Sequence, residues 1–114
     1  MTDIRLESMP FELGGRTYEL RCNMNVLADV QELHNGDFAA AMTGDPVRSA
    51  LEFLAAMLND YADEQGWPER FTAKELGRIL APRELPMGRI TEIMALVIRA
   101  ITPASAPPEA EPGN

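Results

Sequence analysis

The chain has 114 residues, with 18 acidic against 10 basic side chains and a net charge of −8, enough for one domain with a real hydrophobic core and too few for two. That charge repels phosphate backbones and weighs against general nucleic-acid binding, although a local basic patch would survive it. The single Cys22 leaves no intramolecular disulfide and fits a reducing compartment. No run approaches the roughly 20 apolar residues of a membrane span, and MTDIRLES lacks the apolar segment of a signal peptide, so the expected location is the cytoplasm. Aromatic residues make up only 6%, which leaves the core to Leu, Ile, Val, Ala and Met.

Residues 1–8 read as an N-terminal arm in which Ile4 and Leu6 alternate with Arg5 and Glu7. In MPFELGGRTYELRC, Gly14-Gly15 marks a two-residue hairpin turn, because both central positions of the favoured turn need positive φ. Pairing across it sets Leu13 opposite Arg16, Phe11 opposite Tyr18 and Met9 opposite Leu20, so the apolar side chains share one face. Pro10 marks the first strand as an edge, and a lone hairpin needs helices against its apolar face. Asn23 caps a helix running to about Leu33, with Val26, Leu27, Val30 and Leu33 inward and Gly36 closing it. DFAAAM forms a short helical turn ahead of the Thr43-Gly44 break.

The stretch Pro46–Glu64 is the central helix. Val47, Ala50, Leu51, Leu54, Met57, Leu58 and Tyr61 fall in steps of three and four, and Phe53 and Ala56 widen the stripe. Arg48, Glu52, Asn59, Asp60 and Asp63 form its polar face. Asp45 is placed to cap it, Pro46 fits the first helical position, and Gly66 is placed to end it. In the following EQGWPERF loop, Trp67 and Phe71 are expected to fold back on the core. Thr72 to Glu75 has the form of a capping box and opens about two turns through Leu76, Ile79 and Leu80. Pro82 and Pro86 bracket a connection to a last helix, about Met87 to Ile101, with Ile90, Ile93, Met94, Val97 and Ile101 on one face. Residues 103–114 hold four prolines and no large apolar residue and are expected to be disordered. The fold class is therefore α+β, mostly α: one domain over residues 9–102, with an N-terminal hairpin packed on four to five helices.

The polar residues do not assemble a catalytic pattern. His34 is the only histidine and stands at a helix C-terminus, where a cation is favoured; Cys22 lies at an inward strand position and reads as packing. Asp60, Asp63, Glu64 and Glu69 match no calcium loop, and Gly14-Gly15 is too short to cradle a phosphate. No enzyme activity, cofactor or metal is expected. TAKELGRIL, a turn and PMGRITEIMALVIRAI can be aligned with a helix-turn-helix. The APRELP connection is longer than the usual turn, and a recognition helix offering Arg89, Thr91, Glu92 and Arg99 is otherwise aliphatic. Leu96 sits among Arg89, Glu92 and Arg99 at helical spacing, and Ile98 also strays from the inner stripe. Such a helix is either central to the core or packed on a partner. The candidate partner contact is Leu96 with Glu92, Arg99 and Arg89.

The run FELGGRTYELRCNMNVLADVQEL resembles the opening of small tail-assembly proteins of long-tailed bacteriophages and prophages. It shares an apolar strand (Phe11–Leu13), a glycine turn followed by a basic residue (Gly14-Gly15-Arg16), a Tyr-x-Leu strand (Tyr18–Leu20) and a helix carrying Asn25, Leu27, Val30 and Glu32. SALEFLAAMLND, the element Thr72–Gly77 and the aliphatic closing helix extend the likeness over about residues 9–101, with Leu33 where a second acidic residue is usual. Gene-transfer-agent tail proteins share the same opening. The resemblance implies a tail assembly chaperone, a non-catalytic protein of the bacterial host cytoplasm that coats and solubilises the tape-measure protein until tail tube subunits replace it. It is compatible with self-association, and its alternatives are a structural tail component (tube or minor tail) or, further off, a helix-turn-helix regulator.

Overall fold

The structure, a computed structural model, describes residues 7–102; residues 1–6 of the expected arm and the Pro-rich stretch 103–114 lie outside the described residues. Two strands, β1 (Met9–Leu13) and β2 (Arg16–Leu20), form an antiparallel hairpin. Its register is the expected one, Met9 with Leu20, Phe11 with Tyr18 and Leu13 with Arg16. Gly14 and Gly15 both have positive φ, 60° and 80°, as the tight turn demands. Phe11, Tyr18 and Leu20 are buried on one face.

Among the described residues five helices follow: α1 (Met24–Leu33), α2 (Phe38–Thr43), α3 (Pro46–Gln65), α4 (Ala73–Ile79) and α5 (Met87–Ile101), with one 3-10 turn at Pro82–Glu84. Their boundaries are set by local chemistry. Asn23 Oδ1 accepts from the Val26 amide at 3.0 Å and starts α1. Asp45 Oδ1 accepts from the Val47 and Arg48 amides and starts α3, with Pro46 at its first position. Gly66 ends α3 in the left-handed region at φ 78°. Thr72 and Glu75 form the reciprocal capping box of α4.

Helix α3 is the hub. Helices α1, α2, α4 and α5 and strand β2 all pack on it, and it contributes Phe53, Leu54, Met57 and Leu58 to the fully buried core. The EQGWPERF loop closes one end as expected. Tyr18 meets Tyr61, Trp67 and Phe71 edge to face, at centroid separations of 6.1, 5.5 and 6.3 Å, a geometry that aligns ring edges with ring faces. Asn59 pins this loop: its amide donates to the Phe71 carbonyl at 2.8 Å and accepts from the Phe71 amide at 2.7 Å. Asn59 therefore serves the loop backbone rather than open water.

Several side chains depart from the expected stripes. Val47, in the first turn of α3, is 42% exposed. Leu33 and Ile79 are exposed at the ends of α1 and α4. The largest correction concerns α5. Its buried residues are Ile90, Ile93, Leu96 and Val97, so the covered face is rotated toward Leu96 and leaves Ile101 and Ile98 exposed. Leu96, expected on the outer side, is 1% exposed and belongs to the core.

Candidate binding surface

Residues 7–10, the two residues ahead of β1 and the start of the strand, lie along the side of α5 that carries the charges. Arg89 Nη2 donates to the Pro10 carbonyl at 2.5 Å, and its guanidinium lies 5.7 Å from the Phe11 ring centre. Arg89 also pairs with Glu92 at 3.0 Å. Arg99 Nε donates to Glu7 at 2.7 Å and holds the Glu7 carboxyl below its ordinary value. All four proposed contact residues, Arg89, Glu92, Leu96 and Arg99, border one open cleft whose other wall is residues 7–10. Leu96, 1% exposed, forms the closed floor of that cleft.

The other polar candidates also resolve into internal contacts. His34 Nε2 lies 2.7 Å from Glu52 Oε1, joining the end of α1 to α3. The Cys22 thiol is buried, and burial pushes its pKa from 9.0 up to about 11, the opposite of an activated nucleophile. The four acidic residues do not converge. Asp60 accepts from Asn23, Asp63 pairs with Arg70, Glu64 with Arg21 and Glu69 with Arg16. Arg16 also stacks over Trp67 at 4.1 Å.

Helices α4 and α5 both pack on α3 and not on each other. A helix-turn-helix unit places its two helices against one another to present the second, and here Arg89 is bonded to Pro10 of β1 and Arg99 to Glu7. The separation leaves a groove instead. Leu51, Leu76, Leu85 and Ile90 form its buried floor, and Val47, Leu80, Pro82, Pro86 and Met87 its lips. Its volume is about 350 Å³, and no polar side chain lines it. Val47 and Met87 are 42% and 60% exposed. The bridging segment forms one side of the groove: the Glu84 side chain accepts from the Ala81 amide at 2.7 Å and holds the 3-10 turn, while Pro82 and Pro86 keep this stretch from joining either helix.

No protein-family model, characterised protein or solved structure matches the chain. Among the described residues no group of three or more metal-ligating side chains converges, and no helix is long and apolar enough to cross a membrane.

Proposed function

We propose that this protein is a tail assembly chaperone, a non-catalytic subunit that holds the long apolar helix of a tape-measure protein in solution until tail tube subunits replace it. The observation that carries the proposal is the groove between α3, α4 and α5: open, without a polar side chain, and edged by exposed Val47 and Met87. An amphipathic helix lays its apolar residues into such a groove at a spacing of three and four. The net charge of −8 keeps the loaded complex soluble. The sequence resemblance over about residues 9–101 supplies the identity of the client.

The test is co-purification of the full chain with a co-expressed tape-measure fragment. Val47→Asp puts a carboxylate on the lip of the groove, and burying an apolar side chain of this size is worth about 1.5–3 kcal/mol. Binding should fall at least about tenfold. Val47 is the second residue of α3, where a negative charge favours the helix, so the melting temperature should not drop. A variant that folds and retains the fragment as tightly as the unaltered chain would remove the groove as the holding surface. Assembled particles separate the two tail roles: a chaperone is absent from them, and a structural component remains.

A further inference from the structure

Of the nine Lys and Arg side chains among the described residues, Arg16, Arg21, Arg70, Arg89 and Arg99 are held in ion pairs. The other four, Arg48, Lys74, Arg78 and Arg83, are exposed and make no ion pair or side-chain hydrogen bond among the described residues. These four fall on the segments that build the groove. Arg48 follows Val47 in α3, Arg78 follows Gly77 in α4, and Arg83 follows Pro82 in the bridge, with Lys74 one turn ahead of Arg78. The carboxylates of the same segments are engaged by backbone amides: Asp45 by Val47 and Arg48, Glu75 by Thr72, and Glu84 by Ala81. Arg48 and Lys74 also border a hollow between α3 and the start of α4, where Asp29, Glu32 and Glu52 offset them. Arg78 and Arg83 are the cations left to the groove. The last turn of α4 favours a cation at Arg78 through the helix dipole, whereas Arg83, in a three-residue turn, has no such reason to be basic.

The charge along the chain is as uneven. Residues 73–101, which supply α4, the bridge and α5, hold five basic and three acidic side chains, while residues 7–72 hold four basic and twelve acidic ones. A molecule of −8 therefore has a positive stretch where it opens its apolar groove. We infer that the helix this groove takes is acidic along its flank, with Asp or Glu beside the inserted apolar residues and lying over Arg78 and Arg83. The inference rests on the reading of the groove as the holding surface for a client helix and adds the charge of that client. Complementary charge at the rim of an interface selects the partner and speeds its approach, while the apolar floor supplies the burial. An acidic client also stays clear of the rest of the surface, which is negative and repels it.

The experiment is fluorescence anisotropy of the full chain with three labelled amphipathic helical peptides. The peptides share one leucine stripe at a spacing of three and four and differ only in carrying Glu, Gln or Lys along the flanks. The Glu peptide should bind at least about tenfold tighter than the Lys peptide, with Gln between them. Net charge alone demands the reverse order, since −8 attracts Lys, so the sign of the difference is decisive. Added salt should narrow it. Arg78→Glu combined with Arg83→Glu should invert the order. Both side chains are exposed, so this variant should melt with the unaltered chain; if it does not, Arg78→Gln with Arg83→Gln takes its place and should abolish the preference for Glu. Equal binding of the three peptides, or a preference for Glu that both double variants keep, overturns the inference and leaves the groove as the holding surface. Binding of none of them removes the groove reading, and the inference with it. Phosphatidylglycerol vesicles that pellet the chain through Arg78 and Arg83, with no binding of the Glu peptide, would assign the two arginines to an anionic surface instead.

Discussion

At 1% exposure Leu96 is packed as closely as Ile93 and Val97, its neighbours on the buried face of α5. Truncation there removes transfer free energy and leaves a void that the surrounding side chains only partly fill. Leu96→Ala should therefore destabilise the protein by about 2–5 kcal/mol in urea unfolding. Ile98→Ala, two residues along and 49% exposed, should cost under about 0.5 kcal/mol when measured at dilution. Equal costs at the two positions would mean that α5 is rotated from the orientation described. The local pattern at Leu96 could not reveal its burial. Arg89 and Arg99 edge the buried face, and their charges find partners in the Pro10 carbonyl and Glu7, 79 and 92 positions earlier in the chain. A charged neighbour marks exposure only when water is its partner.

At the scale of elements, the signals that survived folding are those whose physics is complete within a few residues. The paired glycines impose positive φ on the hairpin turn, Asp45 and Thr72 satisfy orphan amides at helix starts, and Gly66 supplies the left-handed residue that ends α3. Two glycines give a test of opposite sign. Gly66 sits at φ 78°, so Gly66→Ala should lower stability by about 1–2 kcal/mol. Gly77 lies inside α4, and a Cβ there would meet Leu51 Cδ1 at an ordinary 3.6 Å. Gly77→Ala should raise stability by about 0.5–1 kcal/mol through reduced freedom of the unfolded chain. Paired thermal melts check both, and a gain at Gly66 would contradict its role as the terminator of α3. Helix ends fared worse than helix centres. Leu33, Val47 and Ile79 fit their stripes by period yet stand in the end turns of their helices and stay exposed.

For the whole molecule the deciding quantity is where its charge is committed. Five of the ten basic residues, Arg16, Arg21, Arg70, Arg89 and Arg99, are held in ion pairs within the described chain. Releasing them to phosphates would break those pairs in a molecule already at −8. The protein should show no measurable binding to duplex DNA at physiological salt. Binding that steepens as salt is lowered and disappears in Arg89→Ala would reassign it to the regulators.

The sequence by itself determined the fold class, the hairpin register, the caps and the hub position of α3. Each follows from a period of two or 3.6, or from a dihedral or hydrogen bond that one or two side chains dictate. Only the tertiary structure decided which side of α5 is covered, since a helix with two apolar faces has two ways to lie on α3, and Arg89 and Arg99 find their partners in Pro10 of β1 and in Glu7. The groove was equally out of reach. Its floor and lips come from α3, α4, the Pro-rich bridge and α5, and an opening between helices is a property of their separation, which no single segment carries.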